Sequence, residues 1–118
     1  MVCVDGLIVN EDRHILLVRR TLPPLRWKWW LPGGRVRRGE LLGDAFRRIM
    51  REELGVTIHE CVPFGVYEGR HTTRHDVSLV FVSHIPRATR IRLDRQASEW
   101  VWAEHLPTAF CASLHSLP

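Results

Sequence analysis

The chain predicts an α/β or α+β fold in which helices cover a mixed β-sheet. Three observations carry this. β-Branched apolar runs lie on both sides of one long helical stretch, that stretch keeps its apolar residues at helical spacing, and the order strands, helix, strands, helix suits helices packed on a sheet. The 118 residues, 45% apolar and 25% charged, sit in the globular range, away from collagenous, coiled-coil and disordered compositions. A chain of this length is expected to form one domain over residues 1–118.

Val2 to Val9 is a mostly apolar, β-branched run, and Asn10-Glu11-Asp12-Arg13 is a polar turn before a second run, Ile15 to Val18. This reads as a hairpin. Thr21 to Trp30, with Pro23-Pro24 and the cluster Trp27-Lys28-Trp29-Trp30, reads as a loop, and Pro32-Gly33-Gly34 is expected to break regular structure. From Glu40 to Leu54 the apolar residues Leu42, Ala45, Phe46, Ile49 and Met50 recur at helical spacing, and Gly55 stops the helix. Val56 to Tyr67, Val77 to Ile85 and Glu99 to Ala103 read as strands, and Glu104 to Leu117 as a final helix around Pro107. Trp100 and Trp102 alternate, so one is expected in the core and the other toward solvent or a partner. Trp27, Trp29 and Trp30 suit either stacking on a nucleobase or packing in a core or dimer interface.

No apolar run approaches the ~18 residues that cross a bilayer, and the N-terminus lacks a secretory pattern. A cytoplasmic location without membrane association is expected. Cys3, Cys61 and Cys111 form no Cys-x-x-Cys pair, so they are expected to be small buried hydrophobes rather than disulfides or zinc ligands. Among 17 cationic residues only Lys28 is a lysine, and the formal charge is +4. Arginine's planar fork suits phosphate, although scattering over a solvated surface is an equal reading for most of these residues. Arg87, Arg90, Arg92 and Arg95 carry no interleaved aromatics, so they are read as a solvated turn, and nucleic acid is not expected as a partner.

The chemistry concentrates on the long helix and the loop before it. Gly34 is followed after five residues by Glu40 and after seven more by Arg48, Ile49, Met50, Arg51, Glu52, Glu53, Leu54, Gly55 and Val56. On a helical wheel Glu53 falls within about 40° of Ile49, close to the middle of the apolar stripe, where an unpaired charge is costly. With Glu52 beside it, the pair is best explained by a divalent cation held against a phosphate-bearing ligand, and oxygen ligands suit magnesium. The plainer reading makes Glu52 and Glu53 solvated helix residues, with Arg48 and Glu52 an ordinary i,i+4 ion pair. Pro32-Gly33-Gly34 brings bare backbone close to a ligand or metal, and it lacks the Gly-Lys-Ser/Thr ending of a Walker loop.

These spacings resemble the Nudix box, matching it at Gly34, Glu40, Arg48, Met50, Glu52, Glu53, Gly55 and Val56 and departing at Ile49, where the family has Glu. Within that family the stretch from Val2 to Val56 looks most like the GDP-mannose mannosyl hydrolase branch, on Asp5, Arg20-Thr21, Trp30, Pro32-Gly33-Gly34-Arg35-Val36, Ala45-Phe46 and Glu53-Leu54-Gly55. Branch members also lack Glu at the position of Ile49.

The resemblance implies a mixed sheet sandwiched between helices and magnesium-dependent hydrolysis of a small nucleotide, a nucleoside diphosphate linked to a sugar such as mannose; manganese is an alternative ion. Glu53 would hold the metal with a Gly33 backbone carbonyl, and Glu52 would share it in the ordinary pyrophosphatases of the family. Arg20 and Arg35 would take the phosphates of the leaving group, Arg48 would orient the carboxylates, Asp5 would contact the sugar side or support an arginine, and Trp30 would line the substrate. Where the branch carries a metal-binding Glu and a general-base His, this chain has Arg95 and Ala97. Replacement bases are His75, His71, Asp94 and Glu99, with His75 and Glu99 ranked first. Branch members are dimers, so a homodimer is expected. Two other functions compete: a pyrophosphatase acting on nucleoside di- or triphosphates, and a nucleotide-binding module without turnover.

Overall fold

A computed structural model describes residues 1–23, 25–71 and 74–116. The strands are β1 (Val2–Val9), β2 (Ile15–Arg20), β3 (Trp29–Trp30), β4 (Gly33–Arg35), β5 (Val62–His71), β6 (Arg74–His84), β7 (Ala97–Ala103) and β8 (Leu114–Ser116), and the helices are α1 (Leu42–Leu54) and α2 (Thr108–Ser113). The strands form one mixed sheet in the order β3-β2-β1-β6-β5-β8, with β4 paired to β1 and β7 to β2. β1 and β6 run parallel over eight residue pairs, and the other pairings are antiparallel.

Strand alternation divides the core. Val4, Ile8, Leu16, Val18 and Phe81 face α1, where Phe46, Ile49 and Met50 meet them. Leu7, Leu17, Val80 and Trp30 face the other way and are closed over by Phe110 of α2. The sheet therefore lies between helices, the architecture that the element order and the resemblance imply.

Several boundaries differ from the sequence reading. α1 starts at Leu42 rather than Glu40, with Leu41 extended at ψ 147°. Glu40 is committed to the loop: its carboxylate accepts the Arg37 N–H at 3.0 Å and the Arg48 guanidinium at 2.7 Å. The helix ends as expected at Gly55, whose φ of 68° lets its N–H turn back to the Arg51 carbonyl. Val56 and Ile58 are buried, which mimics a strand, but they pack beside α1 and β5 begins only at Val62. Pro32-Gly33-Gly34 does not break the sheet; Gly33 to Arg35 form β4 against β1.

The expected final helix is a short one, after which the chain turns to pair β8 with β5, Tyr67 opposite Leu114. Phe110 and Cys111 direct their N–H groups to the Pro107 carbonyl, so the helix begins beyond that proline. Leu117, its expected end, lies outside the described residues. Trp100 and Trp102 both pack against the α1-side core with ring centroids 6.2 Å apart, because residues two apart in a strand share a face. Cys3 and Cys61 are half-buried and Cys111 is exposed, so none of the three is the buried residue expected. Among the described residues no helix is long and apolar enough to cross a membrane.

Candidate active site

β4 is laid against the start of β1 with Gly33 opposite Asp5, Gly34 opposite Val4 and Arg35 opposite Cys3. A Cβ on Gly33 would fall on Asp5 Oδ1 and lie 2.6 Å from the Val4 carbonyl oxygen, so only glycine lets the Asp5 carboxylate rest on this backbone. On the other side of the strand, Glu53 Oε2 at the end of α1 lies 3.5 Å from the place a Cβ on Gly34 would take, and the Gly33 N–H favours its ionised form. The glycine pair thus separates two carboxylates, from β1 and from α1.

Around this point is a cavity of about 270 Å³. Asp5, Gly33, Gly34 and Arg35 line it from β1 and β4, and Arg20 reaches it from the end of β2, where the pairing with β7 slips between Arg19 and Arg20. Trp30, 7% exposed, supplies an apolar wall and is held edge-on by Tyr67 and Phe110 at 5.5 and 5.6 Å. Trp27 and Trp29 stay exposed outside it, with Arg26 stacked 4.8 Å from the Trp27 ring centroid.

Burial pushes the Glu53 carboxyl up to about 8, and the charges of Asp94 and Asp5 push the same way against Arg20 and the Gly33 N–H. Burial likewise raises Asp5 to about 6, with Asp76 adding to the rise while Ser78, bonded at 2.6 Å, and Arg20 oppose it. The site therefore concentrates negative charge that a cation would relieve.

Arg48 works beside the cavity rather than in its wall. Its guanidinium spans the Glu40 carboxylate at 2.7 and 2.9 Å, donates to the Arg35 carbonyl at 3.0 Å and reaches Glu52 at 3.2 Å. Glu52 is half exposed and is bridged by Arg48 and Arg37. It faces the arginines, and Glu53 faces the glycine strand.

The two first-ranked bases are not brought to the cavity. His75 is exposed and paired with Glu68 at 2.6 Å, on the face of β6 opposite Asp76 and Ser78, which line the cavity. Glu99 is exposed on β7 and paired with Arg19 at 3.1 Å. Asp94 is the candidate whose charge acts on Glu53, and the Gln96 N–H holds it at 2.9 Å. The side chain of His71 lies outside the described residues.

Sequence reasoning missed Tyr67, Asp76 and Ser78 as cavity residues. The available signal was the phase of β6, where Asp76 and Ser78 fall in step with the buried Val80.

The family model described as the NUDIX domain matches residues 1–109. The chain belongs to the Nudix family. Among curated relatives, it is 32% identical over 94 residues to the low-salt glycan biosynthesis protein Agl8 of Haloferax volcanii, covering 80% of this chain and 60% of that protein. It is 37% identical over 83 residues to an ADP-ribose pyrophosphatase of Methanocaldococcus jannaschii, covering 69% of this chain and 48% of the relative. The chain thus spans about half the length of these two relatives. Among solved structures, a MutT protein from Methanosarcina mazei superposes with a TM-score of 0.82 at 28% identity, over 94% of this chain and 86% of that one.

In this Nudix chain the position of the missing box carboxylate is filled by Ile49, 3% exposed, whose side chain packs into the α1-side core. Among the described residues no three His, Cys, Asp or Glu side chains come close enough together to hold a metal ion by themselves. The donors present nevertheless fit magnesium: Glu53 is buried, feels the charges of Asp94 and Asp5 and lies against a bare glycine backbone. Such a set suits a hard cation that takes one or two protein carboxylates and completes its shell with water and substrate phosphate.

Proposed function

We propose that this chain is a magnesium- or manganese-dependent hydrolase of a nucleoside diphosphate linked to a second moiety, a nucleotide sugar such as GDP-mannose. The observation that carries the reading is the convergence of Arg20 and Arg35 on one cavity whose glycine strand is backed by the buried Glu53. Two guanidiniums offer forked donors to a diphosphate, and Glu53, with the Gly33 backbone, would hold the metal. When bound, the ion would neutralise charge that develops on the leaving diphosphate.

The chain's own residues divide the remaining work. Arg20 and Arg35 grip and orient the phosphates, and Asp5, fixed by Ser78 and seated on Gly33, accepts from the linked moiety. Trp30 excludes water from one side. Arg48 holds the carbonyl of Arg35 and so sets where β4 presents that residue's side chain. Asp94 is the proton acceptor in this reading, because among the candidate bases it is the one whose charge reaches Glu53.

Hydrolysis of GDP-mannose with magnesium in oxygen-18 water, followed by phosphorus NMR, tests this. Label on the free sugar supports attack at carbon. Label on phosphate assigns the chain instead to the pyrophosphatases, a second reading favoured by the ADP-ribose pyrophosphatase among its relatives and by the retention of Glu52. A complex without product would leave a binding module.

A further inference from the structure

The two arginines account for a diphosphate, but they do not account for the polar wall that β6 adds to the same cavity. Strand alternation brings Asp76 and Ser78 of β6 into that wall beside Asp5, since β1 and β6 are parallel neighbours with Cys3 level with Ser78. Asp76 and Ser78 are 7% and 2% exposed, unusually deep for polar side chains. The Ser78 hydroxyl spends its single proton on Asp5 Oδ2 at 2.6 Å, so toward the cavity it offers only lone pairs. Ionised carboxylates also only accept. The polar wall is therefore an accepting surface, bordered by Tyr67, the partner of Ser78 across the sheet, and by the Trp30 ring that packs on Tyr67.

A cavity of about 270 Å³ sits at the low end of ligand pockets, about 300–1,000 Å³, so part of the substrate extends outside it. The geometry points to Asp76, with Ser78 and Asp5, as the specificity-determining wall for a substrate ring that presents two neighbouring hydrogen-bond donors. This inference rests on the proposed nucleotide-sugar reading and narrows its substrate. Two adjacent donors occur on a vicinal diol of a sugar ring and on the N1–H and 2-amino edge of guanine. Adenine, whose corresponding edge mixes donor and acceptor, would leave one carboxylate oxygen facing a lone pair, and buried polar groups without partners are the strongest basis for rejecting an analogue.

Calorimetric titration with the 2′-deoxy monophosphates of guanosine, inosine and adenosine, whose pentose lacks a vicinal diol, and with mannose 1-phosphate tests this without turnover, because none of the four contains a pyrophosphate. We expect deoxyguanosine monophosphate or mannose 1-phosphate to bind at least tenfold more tightly than deoxyadenosine monophosphate. Asp76→Asn, which exchanges an acceptor for a donor at constant shape, should remove most of that preference, and Ser78→Ala should weaken it while keeping the fold. Preference for the guanosine compound over inosine identifies the guanine edge, and preference for mannose 1-phosphate identifies the sugar. Equal binding of all four probes, binding of none, or an unchanged preference in folded Asp76→Asn would overturn the inference. Continued hydrolysis of a nucleotide substrate in those cases would leave the proposed function standing.

Discussion

The Asp5 carboxylate rests on the backbone of Gly33, in the space that any other residue would fill with its Cβ. This contact joins β1 to the glycine strand, whose next residue, Gly34, lies against the Glu53 carboxylate. Gly33→Ala should consequently destabilise the fold by about 1–3 kcal/mol, since the Val4 carbonyl cannot move aside cheaply. Denaturant unfolding measures this, and Gly43→Ala is the contrasting variant. Gly43 lies in the first turn of α1, where an added Cβ meets only the flexible end of Arg47, so that change should stabilise by about 0.5 kcal/mol.

Glu53→Gln separates stability from function. Removing a carboxylate that burial and its acidic neighbours disfavour should leave the metal-free protein at least as stable as the parent, while hydrolysis falls by about 100-fold or more. Thermal melts in chelator and magnesium-dependent turnover read the two effects. A large fall in Tm with activity retained would show that Glu53 is a packing residue.

Arg48→Lys keeps the charge and loses the fork. A lysine can serve one of the three groups that Arg48 bridges, so the hold on Glu40 or on the Arg35 carbonyl is given up. The expected result is a lower Tm and a several-fold rise in KM for the nucleotide through displaced β4. Steady-state kinetics beside a melt distinguish this from loss of charge alone.

Glu40 makes the fold acid-sensitive. The Arg48 hydrogen bond, followed by the Arg37 N–H, pulls its carboxyl down to about 2 from the ordinary 4.5. A depressed acid stabilises the folded state fully above its unfolded pKa, and that contribution drains away as pH falls through 4.5 toward 2. Urea midpoints should fall across this window and fall less steeply in Glu40→Gln. An identical slope in both proteins would contradict the assignment.

Ile49→Glu returns the carboxylate that the Nudix box ordinarily holds at a position buried in the α1-side core. Without metal the variant should lose several kcal/mol. Magnesium should recover part of that loss, seen as a larger rise in Tm with magnesium than the parent shows.

Sequence made α1 and its loop legible because that signal is local: the spacing from Gly34 to Gly55 joins a helix, its stop and its salt-bridging arginine in one continuous segment. The close approach at Gly33 was legible as bare backbone, but its immediate neighbour is a carboxylate of β1, which depends on strand register. Asp76 and Ser78 were hidden for the same reason, since only the parallel pairing of β6 with β1 brings them beside Asp5. β8 was hidden because helical spacing continued through residues that the free edge of β5 captures. His75 looked well placed next to an apolar strand, yet alternation carries its ring to the other face, where Glu68 holds it.

The most direct test is a crystal of the protein grown with manganese and GDP, examined by anomalous diffraction. The account predicts a manganese peak at the Glu53 carboxylate, with the diphosphate between that ion and the Arg20 and Arg35 guanidiniums. A peak away from Glu53, or a diphosphate bound outside the cavity that these arginines line, would contradict it.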